Sequence, residues 1–144
     1  MLFGKRERAI KRILVVEDEP LVAFDNERML TDAGYEVAAT VDTVEEARRV
    51  MSEGEAIDLV LLDINLTDGS GIDVAKCADS KGINVLFVTG NCPAEHRNLA
   101  VGCLDKPYTS RVMKSAIEVV DALARGDKIR KVPSELTLFV EAAA

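Results

Sequence analysis

Short apolar runs with helical patterns between them constrain the fold of this sequence more than any other feature. The runs cover residues 13–16, 37–39, 59–62, 85–88 and, more weakly, 103–104. The first, third and fourth are apolar at nearly every position, as strands are when helices cover both faces of a parallel sheet. The five runs therefore predict five strands in one sheet.

The segments between the runs have the spacing of amphipathic helices. In the clearest, residues 109–125, apolar side chains recur on one stripe, made of Val112, Ala116, Val119, Val120 and Leu123. Four helical segments are followed by a glycine, which is common at a helix C-terminus, at Gly34, Gly54, Gly82 and Gly126. This alternation of strand and helix predicts a doubly wound α/β sheet with helices on both faces.

Length, composition and charge predict a single cytoplasmic domain. The 144 residues suit one core. The N-terminus lacks the apolar stretch of a signal peptide, and no apolar run is long enough to span a membrane. A formal net charge of −7 is unfavourable for binding nucleic acid or an anionic membrane. Basic residues cluster near the start of the chain, and we interpret residues 1–11 as a solvated basic tail.

The cysteines give no sign of a disulfide or metal framework. Cys77, Cys92 and Cys103 form no Cys-x-x-Cys pair, and three is an odd number. Both facts argue against a disulfide framework and against a zinc site, so we predict neither.

Polar side chains stand where the apolar runs stop. Glu17 and Asp18 follow the first run, Asp63 the third, Thr89 the fourth and Lys106 the fifth. Each alone has an ordinary explanation, such as a helix cap or a turn. Ligands of open α/β sheets, however, bind at the carboxyl ends of the strands. The joint placement of these residues therefore predicts one site at that edge of the sheet.

These residue types suit the transfer of a phosphoryl group to a carboxylate. Clustered carboxylates raise one another's pKa, and Mg²⁺, which prefers oxygen ligands, relieves their repulsion. A carboxylate can attack phosphorus to form an aspartyl phosphate. The phosphoryl oxygens then need partners, which Mg²⁺, the Lys106 ammonium and the Thr89 hydroxyl can supply.

The sequence resembles the response regulator receiver family from residue 13 to about residue 125. The matching motifs are Ile-Leu-Val-Val-Glu-Asp-Glu-Pro at 13–20, Leu-Leu-Asp-Ile-Asn-Leu at 61–66, Val-Thr-Gly at 88–90 and Asp-Lys-Pro at 105–107. The resemblance implies a flavodoxin-like, five-stranded parallel sheet in the order 2-1-3-4-5. It also implies a sensor histidine kinase as the phosphodonor.

The resemblance implies roles for the residues that would hold the phosphoryl group. Asp63 corresponds to the phosphoacceptor, Thr89 to the switch hydroxyl and Lys106 to the phosphate-binding lysine. The peptide bond before Pro107 is usually cis in the family, which is tolerated mainly at proline.

The resemblance likewise implies a set of Mg²⁺ ligands. Asp18 corresponds to a direct ligand, and Glu17 to a second acid that usually acts through water. Asn65 stands at the position that donates its backbone carbonyl to the metal, beside Asp63 itself.

The chain departs from the family near its switch. Where the family commonly has Tyr or Phe three residues before the lysine, this chain has Cys103, and Tyr108 lies too far along to be an obvious replacement. The interval from Thr89 to Lys106 is shorter than is typical, so we expect a fourth helix that is short, frayed or mobile. Residues 87–90, Phe-Val-Thr-Gly, are similar to a Phe-x-Thr-Gly subgroup that lacks the aromatic switch and is often stand-alone.

We predict a receiver domain at residues 12–126, followed by a tail or an added strand at 127–144. The predicted function is that of a single-domain response regulator, not an enzyme, which switches a downstream protein partner or drains phosphate from the kinase. Phosphorylation is expected to order residues 90–102.

Two alternatives stay open from the sequence. A haloacid-dehalogenase-like phosphatase has a first motif similar to residues 63–67, but it needs a second aspartate where Asn65 stands. Turnover of a phosphate monoester would distinguish it from a receiver. The other alternative is a phosphorylation-independent binding module, for which Asp63→Asn would leave partner binding unaltered.

Overall fold

A central sheet with helices on both faces makes up the described part of the chain. The computed structural model describes residues 7–54, 56–129 and 131–139. The strands are β1 Arg12–Val16, β2 Glu36–Val41, β3 Leu59–Leu62, β4 Asn65–Leu66, β5 Gly69–Ser70, β6 Asn84–Thr89, β7 Gly102–Asp105 and β8 Leu136–Leu138. The α-helices are α1 Pro20–Asp32, α2 Val44–Ser52, α3 Gly71–Ser80 and α4 Ser110–Arg125, and a 3-10 helix covers Ala94–Leu99.

The main sheet has six strands in the order β2-β1-β3-β6-β7-β8. The first five are parallel to one another, so the flavodoxin-like order 2-1-3-4-5 is confirmed. β8 adds a sixth, antiparallel strand on β7, with Leu136 opposite Leu104. β4 and β5 form a separate antiparallel pair, which the apolar pattern did not predict because such short strands have no periodicity.

The core lies in two layers, one on each face of the sheet. Helices α2 and α3 cover one face, where the buried side chains include Leu14, Ala47, Val60, Val74 and Phe87. Helices α1 and α4 cover the other face, where they include Ile13, Leu30, Leu61, Leu86 and Ile117. Because successive strand residues point to opposite faces, a strand that is covered on both faces is apolar throughout.

Helix α4 begins and ends where its sequence requires. The Thr109 hydroxyl oxygen accepts a hydrogen bond from the Val112 amide at 3.1 Å, which caps the N-terminus. Gly126 ends the helix in the left-handed region, at φ 75°, where a residue with a β-carbon is strained. Within the described ranges, no helix has both the length and the apolar character needed to cross a membrane.

The residues that precede β1 pack against α4. Ile10 is 1% exposed, and the amides of Ala9 and Ile10 donate to Asp121 Oδ1 at 2.7 and 2.8 Å. The expected solvated tail is therefore wrong for these two residues, since an apolar side chain and a buried acceptor hold them on the domain. Residues 1–6 lie outside the described residues.

Replacing Asp121 by alanine should lower the free energy of unfolding by about 2–4 kcal/mol, because two backbone amides lose their acceptor and Arg125 loses a charged partner. Asp121 is buried, and Arg125 Nε donates to its Oδ2 at 2.9 Å. Asp121→Asn keeps an acceptor oxygen and should lose less stability. Urea unfolding measures both variants, and wild-type stability of Asp121→Ala would contradict this anchoring role.

The segment between β6 and β7 is short, as the sequence predicted. It forms a 3-10 helix, and the backbone of His96, at φ −120° and ψ 28°, departs from helical geometry. None of residues 94–99 is buried, although Leu99 packs against the core.

The prediction against a disulfide is wrong. Cys92 and Cys103 are bonded, with their Cα atoms 6.0 Å apart, while Cys77 is free. Cys103 lies on β7 opposite Phe87, and the chain after β6 returns close to it. Cysteine pairing depends on distance in space, which the count and spacing of cysteines in the sequence do not reveal.

Candidate functional site

The carboxyl ends of four strands bring the predicted polar residues to one edge of the sheet. Glu17 and Asp18 follow β1, Asp63 follows β3, Thr89 ends β6, and Lys106 follows β7. Since all four strands are parallel, these ends meet at the same edge.

The Lys106 ammonium joins the acids of two strand ends. Its Nζ lies 2.9 Å from Glu17 Oε1 and 3.3 Å from Asp63 Oδ2. Glu19 Oε1 is 3.5 Å away. Residues about 90 positions apart in the chain are thus in direct contact, because the register of the sheet places them side by side.

Asp63 is held rigidly by the backbone around it. Its amide donates to the Val16 carbonyl at 2.9 Å, which continues the β1–β3 pairing by one residue. Its Oδ1 accepts from the Asn65 amide at 3.2 Å, and the residue is only 5% exposed. The carboxylate is therefore fixed in orientation at the end of its strand.

Thr89 and Lys106 are connected through the backbone. The Lys106 amide donates to the Thr89 carbonyl at 3.0 Å, and the Thr89 hydroxyl oxygen accepts from the Asn91 amide at 3.3 Å. The Lys106–Pro107 bond is cis, as the resemblance implied. The Thr89 hydroxyl is thus connected to the segment that follows β6.

The charges at the site are unbalanced. Burial raises the pKa of Glu17 to about 7, the Lys106 hydrogen bond opposes this, and the neighbouring Asp63 adds to it. The pKa of Asp18 is raised by burial and by Asp63. Burial alone would lower the pKa of Lys106, but Glu17 and Asp63 outweigh it and raise that pKa. The acids therefore favour an added positive charge.

The donor set fits a hard divalent cation. Glu17, Asp18, Glu19 and Asp63 each offer a carboxylate oxygen, and these oxygens lie within 4.8 Å of one another. Oxygen-only donors beside a partly exposed position suit Mg²⁺, which keeps several of its waters. Asn65, the fourth residue of the expected metal set, lies on β4 beside Asp63 and is exposed.

Glu19 also belongs to this acid cluster, although the sequence analysis assigned it no role. It is the N-cap residue of α1, but its side chain makes no capping hydrogen bond, which leaves the carboxylate to face Lys106. Its own amide donates to Glu17 Oε2 at 3.1 Å. The short spacing of three acids before Pro20 was the only signal in the sequence.

Gly71 supports the loop that begins at Asp63, and the sequence analysis also missed it. It begins α3, and its amide donates to the Ile64 carbonyl. A β-carbon there would lie 2.4 Å from the Asp63 carbonyl oxygen and 2.8 Å from Ile64 Cα. Only glycine allows the chain to pass so close behind Asp63.

Gly71→Ala should destabilise the fold by about 1–3 kcal/mol, because the backbone around Asp63 has to move to admit a methyl group. Gly90→Ala is the matched control, since its β-carbon would meet nothing within 4 Å. Thermal and urea unfolding compare the two variants. If Gly71→Ala were as stable as Gly90→Ala, the tight packing behind Asp63 would not exist.

The position of the family's switch aromatic holds Cys103, and Tyr108 has a different environment. The Tyr108 hydroxyl donates to Asn26 Oδ1 on α1 at 3.1 Å. Burial raises the pKa of Tyr108. Tyr108 therefore ties the end of β7 to α1, whereas Cys103 is bonded to the segment that follows Thr89.

Comparisons with known proteins agree with this geometry. PdtaR of Mycobacterium tuberculosis, a transcriptional regulatory protein, is 30% identical over 139 residues, which are 91% of this chain and 65% of that protein. The phyllosphere-induced regulator PhyR of Methylorubrum extorquens is 39% identical over 79 residues, 54% of this chain and 30% of PhyR. The chain thus spans less than two thirds of the length of either relative.

Two solved structures are similar to this chain over most of their own length. A CheY-like receiver domain protein from Methanospirillum hungatei has a TM-score of 0.70 at 27% identity, covering 81% of this chain and 97% of that one. TrrA of Thermotoga maritima, a response regulator protein solved with Mg²⁺ and BeF, has a TM-score of 0.67 at 29% identity. The similarity covers 76% of this chain and 97% of TrrA. The family model of the response regulator receiver domain matches residues 13–118. With its parallel sheet and its acids and lysine at one edge, the chain belongs to the response regulator receiver domain family.

Proposed function

We propose that this chain, as the receiver domain of a response regulator, accepts a phosphoryl group on Asp63 from a sensor histidine kinase. The observation that carries the proposal is the contact of Lys106 Nζ with Glu17 and Asp63, at 2.9 and 3.3 Å, across separate strand ends. An ammonium between two buried acids stands where a transferred phosphoryl group would need a cation.

The transfer itself is a displacement at phosphorus. A carboxylate oxygen of Asp63 forms the new P–O bond as the P–N bond to the kinase histidine breaks, and the histidine nitrogen keeps the electron pair and is protonated by solvent. Asp63 needs no general base, because its carboxylate is already a nucleophile.

Lys106 and Thr89 bind the oxygens of the transferred group. Lys106 is a compact cation on a flexible stem and can leave the Asp63 carboxylate to pair with a phosphoryl oxygen. The Thr89 hydroxyl can donate to another oxygen by rotating about χ1. This rotation breaks the hydrogen bond from the Asn91 amide, and the conformation of residues 90–102 changes as a result.

We propose that Asp18, Asp63 and the Asn65 backbone carbonyl hold Mg²⁺, with Glu17 acting through a water molecule. At this site Mg²⁺ would neutralise the acids and would supply a positive charge for one phosphoryl oxygen. The raised pKa values of Glu17 and Asp18 are consistent with this assignment, because burial and the neighbouring Asp63 both disfavour the charged form of each acid and a cation would favour it.

Asp18→Asn should lower Mg²⁺ affinity by at least about tenfold, since even the loss of an outer-shell partner has that effect. Calorimetric titration with MgCl₂, together with labelling by acetyl phosphate at varied Mg²⁺, measures the change. Asp79→Asn is the control, as Asp79 is an exposed acid on α3. Unchanged Mg²⁺ affinity in Asp18→Asn would remove Asp18 from the metal site.

The surface beside the site has features of a protein-binding face. Leu21 and Phe24 on α1 are 80% and 60% exposed, unusually high for large apolar side chains, and α1 begins directly after the acid cluster. We propose that this face receives the kinase or a downstream protein. The net charge of −7 favours such a partner over nucleic acid.

We propose that the chain acts in the cytoplasm, where ATP is available to the kinase, and turns over no substrate of its own. Its output is then either a changed surface for a partner or the removal of phosphate from the kinase. Phosphorylation adds roughly −1.5 to −2 charge, by analogy with other phosphorylated side chains, which is enough to bias a two-state surface.

A further inference from the structure

The disulfide between Cys92 and Cys103 lies within the switch region rather than in a remote part of the fold. Cys92 is three positions after Thr89, and Cys103 is three positions before Lys106. The bond joins residues eleven positions apart and encloses the 3-10 helix. It therefore links the segment that follows the hydroxyl to the strand that carries the ammonium.

The two sulfurs differ in accessibility. Cys103 is fully buried on β7, opposite Phe87 of β6, whereas Cys92 is partly exposed at the surface. Cys92 Sγ also lies 3.2 Å from Asp105 Oδ1, a contact in which a reduced thiol would donate its hydrogen to the carboxylate. Of the two, Cys92 is therefore the one that an external thiol would attack, with the buried Cys103 sulfur as the leaving group.

We propose that Cys92 and Cys103 are a reversible thiol–disulfide pair that sets how far residues 90–102 respond to phosphorylation. The inference rests on the proposed phosphorylation of Asp63 and adds a second input to it. Disulfides are rare in reducing compartments, and those that occur there are usually catalytic or redox-sensing.

The chemistry is thiol–disulfide exchange with a low-molecular-weight thiol such as glutathione. Its thiolate attacks Cys92 Sγ to give a mixed disulfide and releases the Cys103 thiolate, which is protonated. A second glutathione thiolate attacks the glutathione sulfur of the mixed disulfide and releases Cys92. The protein gains two electrons and two protons, and two glutathione molecules become one glutathione disulfide, which drives the reverse reaction when it is abundant.

The effect of the disulfide on the segment between Cys92 and Cys103 depends on the other contacts of that segment. Within the described residues, its other contacts include the Asn91 amide on Thr89, the His96 amide on the Pro93 carbonyl, and the Arg97 guanidinium 5.5 Å from the Phe139 ring centroid. No residue of the 3-10 helix is buried, but Leu99 at its end packs against the core and the following Ala100 is buried. These contacts hold the C-terminal end of the segment in either redox state. With the disulfide formed, the N-terminal end is held as well, so the segment follows Thr89 little. With the disulfide reduced, the residues after Thr89 are free to follow it.

The test compares amide exchange of the oxidised and reduced protein, with and without Mg²⁺ and beryllofluoride, in a Cys77→Ser background that leaves only the pair. The amides of residues 94–99 should exchange at least about tenfold more slowly in the oxidised protein. The disulfide closes a covalent loop between Cys92 and Cys103, which lowers the chain entropy of the locally unfolded state from which exchange occurs. Beryllofluoride should change their exchange in the reduced protein and leave it nearly unchanged in the oxidised protein. Cys92→Ser should behave as the reduced protein in either glutathione buffer.

The outcomes separate this inference from the proposed function. If acetyl phosphate labels Asp63 in both redox states and beryllofluoride changes exchange equally in both, the redox input is wrong while the phosphorylation stands. If neither state is labelled, the proposed function fails. Mass spectrometry must also find the Cys92–Cys103 bond opened and reformed by glutathione buffers.

Retention of one equivalent of zinc by the reduced protein after dialysis would instead assign the pair and Asp105, whose ligand atoms lie within 4.8 Å, to a metal site.

Discussion

Asp63→Asn should abolish Mg²⁺-dependent labelling by acetyl phosphate, while the wild-type chain takes up one phosphoryl group. The amide cannot attack phosphorus as a carboxylate does. Asp63 is buried, and its orientation is fixed by the Val16 carbonyl and the Asn65 amide. Intact mass spectrometry measures the mass added by one phosphoryl group.

The control for this variant is Asp79→Asn, an exposed aspartate on α3 that should label as the wild type does. Far-ultraviolet circular dichroism should show that both variants keep their helices. Labelling of Asp63→Asn at the wild-type level, on any residue, would contradict the assignment of the phosphoacceptor. The same result would favour a binding module that works without phosphorylation.

Lys106→Ala should slow labelling by at least about a hundredfold, the usual loss when one preorganised donor to a developing charge is removed. The ammonium lies 3.3 Å from Asp63 and 2.9 Å from Glu17, and a water molecule in the space it leaves would carry no positive charge. Its loss also leaves two buried carboxylates without their shared counter-charge. Quenched-flow labelling with acetyl phosphate at saturating Mg²⁺ gives the rate.

Lys114→Ala is the matched control, because Lys114 is an exposed lysine on α4 and should label at the wild-type rate. Lys106→Arg separates charge from shape. Arginine keeps the positive charge but presents a planar fork instead of a compact ammonium, so its rate should fall between those of the wild type and Lys106→Ala. A wild-type rate in Lys106→Ala would mean that this cation does not take part in the transfer.

The elements and residues that the sequence predicted are those whose signals are local. A strand buried on both faces must be apolar along its length, so β1, β3 and β6 could be identified from single runs. The polar residue at the end of each run then marks the edge where the site lies, which placed Asp63, Thr89 and Lys106 correctly at strand ends. The helix-ending glycines, such as Gly126, were found in the same way.

The features that the sequence did not predict depend on distances between separate segments. The Cys92–Cys103 bond requires the return of the chain after β6, and no spacing rule encodes that return. The importance of Gly71 comes from the Asp63 carbonyl, 2.4 Å from where its β-carbon would stand. The packing of Ile10 against α4 depends on Asp121, which lies more than 100 residues away.

The measurement that tests the account most directly is a crystal structure of this protein with Mg²⁺ and beryllofluoride. We expect beryllium to be bonded to a carboxylate oxygen of Asp63, with fluorines contacted by Lys106 Nζ and the Thr89 hydroxyl. We also expect Mg²⁺ to be bound by Asp18, Asp63 and the Asn65 carbonyl. Beryllofluoride on another carboxylate, or Mg²⁺ away from the ends of β1 and β3, would contradict it.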